Sequence, residues 1–434
     1  MARTLALYNL YRALCTAHLH RPFFVFVFLA RGLSMAQVML LQMIFSAAVI
    51  LLEVPTGAWA DRLGRRRSMG LGALLMAAAS LGYLFAPGFW SIAVCEFSFA
   101  AGLTLTSGAD SAYLYDQLAA AGRADDYLRQ ESVASAFKHV GLGVAAAAGG
   151  LLAHFVGLGA TFVVTAVASL AAFLVTLGFP ERRSDLVRAP GARRAPMGYS
   201  VAVAAIRKHP TIWWAILYSS LIFVLIRVSD TLFQPVLRAQ GFDLLGLGLV
   251  FAGLNFVAAA AAVKIGRSAW ARWEEPILWA MPITLAVCYL FIGLLGPVMV
   301  VLLMVAHFTV TGVYSPVVKT MINRDLTESG VRATVLSAES AVKRLVVLVV
   351  TPLLSLVFAL GDGARPGAHP TTPGMRPALL LCGGIAVLGV ILRAVSHWRR
   401  GPAGARLTPP AVEPVAAEPA AAYAYPSSTS KPIG

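Results

Sequence analysis

Charged side chains are scarce in this sequence: Asp, Glu, Lys and Arg make up 13% of its 434 residues. A water-soluble domain carries about 25%, so too little charge is present to cover a soluble surface. Acids are the scarcer sign, with 20 Asp and Glu against 35 Lys and Arg. The four cysteines, Cys15, Cys95, Cys288 and Cys382, fall in apolar stretches far apart in sequence. That spacing offers neither a disulfide framework nor a metal-ligand set, and they read as small packing residues. Also absent are a Gly-x-Ser-x-Gly elbow, a His-Glu-x-x-His pair and a phosphate-cradling Gly-Lys-Ser/Thr loop. Their absence argues against an enzyme and against an ATP-driven pump within this chain, and no cofactor or metal is expected.

What the chain has in quantity is apolar length. Hydrophobic residues reach 58% and mean hydropathy is +0.75. Runs near 20 residues, the length a helix needs to cross about 30 Å of hydrocarbon, recur along the sequence. Twelve are expected, near 8–30, 35–55, 69–88, 90–113, 132–155, 158–179, 211–235, 244–265, 276–295, 297–320, 333–359 and 377–397. The first is interrupted by His18, His20 and Arg21. It is long enough to act as its own insertion signal, and no cleavable leader is expected. Period-2 alternation is weak, which argues against a β-barrel. The fold class is an all-α polytopic membrane protein. Its expected organisation is a six-helix bundle over 1–180, a basic linker over 181–210, a second six-helix bundle over 211–398 and a Pro/Ala-rich disordered tail over 399–434.

Charge then sets orientation. Alternate connections, counted with both termini, hold 26 Lys and Arg against 4 on the opposite set. Such an asymmetry places both termini in the cytoplasm, and scattered basic loops of this kind do not make a nucleic-acid surface. Two short likenesses suggest a repeat: Ser135–His139 with Ser340–Arg344, and Tyr115–Leu118 with Asn323–Leu326. Each pair occupies an equivalent place in the two halves.

Between the second and third spans stands Gly57-Ala58-Trp59-Ala60-Asp61-Arg62-Leu63-Gly64-Arg65-Arg66-Arg67-Ser68. This loop resembles the G-x-L-A-D-R/K-x-G-R/K-R/K signature of the major facilitator superfamily, with Trp59 in place of the usual leucine. Glu53-Val54-Pro55-Thr56, Gly108-Ala109-Asp110 and Arg332–Ser337 extend the likeness to bacterial members described as drug or metabolite exporters. The resemblance implies two six-helix bundles with pseudo-two-fold symmetry and alternating access in a bacterial inner membrane. It also implies a cytoplasmic gate built from Glu53, Gly57, Asp61, Arg62, Gly64 and Arg65. A second family motif, associated with exchangers, is matched in part by Gly141, Gly149 and Gly150. Ala145-Ala146 stands where that motif has Gly-Pro, so close helix packing accounts for the same glycines equally well.

Ionisable residues inside spans are costly and face cavities. Here they include His20, Arg21, Glu96, Asp110, Lys138, Arg227, Asp230, His307, Glu339 and Lys343. Arg227 and Asp230 are spaced i, i+3, and Glu339 and Lys343 i, i+4, so each pair can meet on one helix face. Glu96 has no helical partner, and its place near one end of the fourth span suggests the membrane's outer surface. A carboxylate without a countercharge in low dielectric favours its protonated form, the property a proton-coupling site needs. Lys138 and Lys343 sit at matching places in the two halves and are expected to line a basic cavity suited to an anionic or zwitterionic substrate. The expected function is export of a small organic molecule by a monomer in a lipid bilayer, in exchange for protons. Uptake by symport, facilitated diffusion and a non-transporting receptor are the alternatives.

Overall fold

The computed structural model describes residues 1–107, 109–123, 126–180, 210–267, 273–324, 329–362 and 373–400. The expected linker and tail lie outside the described residues, apart from the linker's last residue and the first two of the tail. Fourteen α-helices and no strand occur among the described residues. They are α1 (Ala2–Cys15), α2 (Phe24–Ala30), α3 (Met35–Leu63), α4 (Arg65–Phe85), α5 (Phe89–Thr106), α6 (Ala109–Ala119) and α7 (Tyr127–Phe155). Then follow α8 (Leu158–Leu177), α9 (Pro210–Ala239), α10 (Leu244–Arg267), α11 (Glu274–Phe291), α12 (Pro297–Arg324), α13 (Ser329–Asp362) and α14 (Met375–Arg400). Residues 1–393 form one compact unit and 394–434 a second, described only through the last turns of α14.

Nine stretches among the described residues are long and apolar enough to cross a membrane, and Glu275–Phe291 is a shorter apolar helix. With α7 and the broken pair α1–α2, they follow the order of the twelve expected spans. The broken pair corrects the expected first span. Its helix stops at Cys15 and resumes at Phe24, with irregular turns between, closed by Ala17 N–H to Leu14 O (3.1 Å) and Phe23 N–H to His20 O (2.9 Å). Pro22 supplies the reason: it has no N–H to donate and disfavours helical backbone at Arg21. The fourth span is likewise divided, into α5 and α6.

The expected loop at Gly57–Ser68 is mostly helix. Residues through Leu63 are the last turns of α3 and Arg65 opens α4, leaving Gly64 as the connection. Gly64 has φ 91° and ψ 144°, a conformation open essentially to glycine alone. One glycine therefore makes the whole turn.

The two halves of the sequence meet most extensively at two helix pairs, α7 with α10 and α3 with α13. Small residues let the first pair touch. A Cβ on Gly248 would stand 2.5 Å from Gly150 Cα, and one on Gly149 would stand 2.4 Å from Leu19 O in the α1–α2 break. A Cβ on Gly141 would meet Ala13 O at 3.3 Å. The motif glycines thus sit at close helix approaches, as interfaces within membranes favour.

Candidate functional site

The α1–α2 break is tolerated because its backbone finds partners. Irregular backbone at membrane depth persists only where it is buried in protein or lines a cavity. Leu19 N–H donates to Thr165 Oγ1 of α8 at 3.0 Å, and His20 Nδ1 lies 3.2 Å from the same hydroxyl. From α9, Gln234 Oε1 accepts from Val25 N–H (3.2 Å), while its Nε2 donates to Arg21 O (3.0 Å). One side-chain amide thereby ties the α2 end of the break to the second half of the chain.

That break opens onto a cavity of about 570 Å³. Its walls come from the break itself and from α1, α2, α3, α4, α5, α6, α7, α9 and α13. At its centre Arg21 and Arg227 both contact Oδ2 of Asp230, the latter through Nη1 at 3.2 Å. Arg227 also donates from Nη2 to Gln42 Oε1 (3.2 Å) and lies over the Phe45 ring, 5.2 Å from its centroid. A smaller chamber of about 180 Å³ shares His18, Arg21, Lys138, Leu142 and Asp230 with the large one.

Glu96 is buried and lines this cavity together with Tyr83 of α4 and Arg227 of α9. Its burial in the cavity wall corrects its expected place at the membrane's outer surface. Asp110 pairs with Arg12 and accepts from Ser111 N–H at 2.6 Å. Both ends of the Arg12–Asp110 pair also line the cavity.

In the second half, Glu339 and Lys343 pair as their spacing predicts, at 2.9 Å. Ser219 donates to Glu339 at 2.5 Å and lies 2.8 Å from the Tyr314 hydroxyl. Neither member of the pair lines the two cavities described. The expected role of Lys343 falls to Arg344, one residue on and about 100° around the helix. His307 is also outside both linings, fully buried with its ring 4.9 Å from Phe233 and 5.8 Å from Tyr289.

Among the residues of the expected gate, Glu53 reaches Arg344 across the α3–α13 interface at 3.5 Å, joining the two halves. Arg65 pairs with Asp116 at 2.8 Å, and Arg66 donates to Leu177 O at 2.8 Å. Arg62 is exposed in the last turn of α3, and a Cβ on Gly57 would meet nothing within 4 Å. The Asp61 side chain lies outside the described residues, as do Gly108 and the side chains of Arg332–Ser337.

A family model described as Major Facilitator Superfamily matches residues 14–347. The chain belongs to the major facilitator superfamily. Solved superfamily structures share the fold across nearly its whole length. A mutant form of the nucleoside transporter NupG superposes with TM-score 0.77 at 12% identity, covering 91% of this chain and 98% of that one. A bacterial homologue of the human lysosomal transporter Spinster, inward-facing and unoccupied, gives TM-score 0.70 at 16% identity, covering 91% and 96%. The peptide transporter POT in complex with sulfate gives 0.66 at 14%, covering 91% and 93%. No curated protein matches the chain. The chain is thus a multi-pass membrane transporter of this superfamily.

Several residues of the cavity and of the helix break's supports escaped sequence reading. Gln234 is one, although Arg227, Asp230 and Gln234 follow i, i+3, i+7 and mark one polar face on an apolar helix. Gln42, Tyr83, Thr165 and the Asp110 partner Arg12 carried no such signal, since each meets its partner only through tertiary packing.

Proposed function

We propose that this transporter couples protons to the movement of a small organic anion across a bacterial cytoplasmic membrane, both termini being cytoplasmic. It works by alternating access between halves 1–180 and 211–398. One observation carries the reading: Glu96, a buried carboxylate of the first half, and Arg227, a cation of the second half, line the same cavity.

The sign of the coupling follows from their opposite charges within one cavity. Ionised Glu96 is favoured by the positive charge of Arg227. An anion bound to Arg227 cancels that charge, so Glu96 binds its proton more readily; by reciprocity a protonated Glu96 favours the anion. Ligands that strengthen each other's binding travel together. The charge pattern therefore supports symport, with protons moving inward alongside the anion, over the exchange that the sequence suggested. Export by exchange retains one support, the resemblance of Glu53–Arg67 to exporters. Glu53–Arg344, with Asp61 and Arg62, forms the cytoplasmic gate in this reading.

Proteoliposomes with an alkaline lumen in acid buffer separate the two readings whatever the protein's insertion direction. With a panel of labelled organic anions, symport fills the alkaline lumen above protein-free liposomes, whereas exchange drives the anion toward the acid side. Glu96→Gln should abolish pH-driven accumulation while leaving anion counterflow. Filling of an acid lumen would overturn the symport reading. Full pH-driven accumulation by Glu96→Gln would remove Glu96 from the coupling.

A further inference from the structure

The substrate class can be taken further from the cavity lining, on the reading that an organic anion is carried. Two features converge there. The first is charge. Five basic side chains (Arg12, Arg21, Lys138, Arg227, Arg344) meet three acids (Glu96, Asp110, Asp230) along the walls. Both central guanidiniums contact a single oxygen of Asp230, Oδ2, so one carboxylate serves two full positive charges. Arg227 keeps its orientation from Gln42 and Phe45 and does not depend on Asp230 alone. With Glu96 protonated, a second carboxylate is the group that this arrangement lacks, and guanidinium forks match its geometry.

The second feature is aromatic surface. Seven of the 25 lining residues are Phe or Tyr, against 10% aromatic residues in the whole chain. Phe99 meets the His18 and His20 rings edge-on at 5.0 and 5.8 Å, and His20 stacks on Phe162 at 4.7 Å with 16° between planes. On the other wall Phe223 and Phe45 flank the cations. Aliphatic side chains are few here, with Leu103 and Leu142 as the lining's leucines. A flat π-surface is what such walls pack best, in offset or edge-to-face contact.

We infer that the transported anion is an aromatic carboxylate, its carboxyl group seated on Arg21 and Arg227 in place of Asp230 and its ring within the aromatic lining of the same cavity. A volume of about 570 Å³ lies within the usual range for small-molecule sites and exceeds what a one- or two-ring acid needs. Displacement of Asp230 makes this internal carboxylate a competitor of the substrate. Its removal therefore strengthens binding of the anion.

Equilibrium binding to purified full-length protein in detergent tests this without any assumption about transport direction. The probes are 2-naphthoate, the neutral 2-naphthylmethanol and the saturated decahydro-2-naphthoate, measured by isothermal titration calorimetry. Naphthoate should bind at least tenfold more tightly than the alcohol, and on the order of 2- to 12-fold more tightly than the saturated acid. Asp230→Asn should tighten naphthoate several-fold, and Phe45→Leu should weaken naphthoate while leaving the saturated acid unchanged. Equal binding of acid and alcohol, or of aromatic and saturated acids, overturns the inference. So does weaker naphthoate binding by monodisperse Asp230→Asn. Should naphthoate fail to bind while some other anion still fills an alkaline lumen, the aromatic assignment falls and proton-coupled anion transport stands. Naphthoate binding with no pH-driven flux has the opposite meaning.

Discussion

Substituting Gly248 with alanine presses on the contact between α7 and α10 with a force that the structure allows to be sized. The added methyl would lie 2.5 Å from Gly150 Cα, 2.8 Å from Ala146 O and 2.9 Å from Gly150 N. All three are backbone atoms of α7, so no side chain can rotate out of the way. Ordinary carbon contacts begin near 3.5 Å, and the helices must part by about 1 Å. Overpacking of this kind costs about 1–3 kcal/mol. In an alternating-access machine it falls only on the state in which these helix ends touch. The ratio of touching to parted states should then drop by roughly 5- to 150-fold. Spin labels at Val156→Cys and Leu249→Cys, both exposed positions, read the separation by pulsed electron resonance, and the four native cysteines are buried. The long-distance population should grow in Gly248→Ala. Gly253→Ala is the control on the same helix, since a Cβ there meets nothing within 4 Å. A distance distribution in Gly248→Ala identical to wild type would refute the reasoning.

Three further outcomes are expected. Gln234→Leu leaves Val25 N–H and Arg21 C=O without the partners that span the helix break; at about 1–3 kcal/mol for each unmet group, thermal unfolding in detergent should shift down by several degrees, and an unchanged midpoint would mean that the break is held otherwise. Gly64→Ala forces a side chain into φ 91° and should cost about 1–3 kcal/mol, seen as reduced thermal stability, whereas Gly57→Ala, with open space around it, should be neutral. Glu53→Gln and Arg344→Gln should show a coupling of about 0.2–1 kcal/mol in a double-mutant cycle on the same spin-label populations, because the pair is partly exposed; strict additivity would exclude a direct pairing.

The architecture was legible because it rests on one-dimensional signals. Apolar length predicted the spans, and the glycine–arginine motif pointed to the family that residues 14–347 match. Intrahelical pairs were legible for the same reason: Arg227–Asp230 and Glu339–Lys343 follow from helical spacing. Reading failed where partners come from different helices. Glu96 looked solitary because the residues that share its cavity, Tyr83 and Arg227 among them, belong to other helices. Lys343 looked like a cavity residue because repeat matching fixes a register and says nothing about which side of the helix faces inward. The break at Thr16–Phe23 was marked by Pro22 and three polar residues. Its persistence depends on Thr165 and Gln234, more than 140 residues away.

That break ties structure to charge in a way no intact helix could. A continuous first span would direct its amides along its own axis and leave none for α8 and α9. Unwound, it presents Arg21 O and Val25 N–H to Gln234, and the Arg21 side chain to Asp230 four residues earlier on the same α9 face. One turn of α9 therefore holds both the backbone and the charge of the opposing half. An anion that takes Arg21 from Asp230 loosens the ion pair but leaves the amide clamp in place. Charge exchange at Asp230 and separation at Gln234 are distinct events, and ligand binding can precede the movement of the halves.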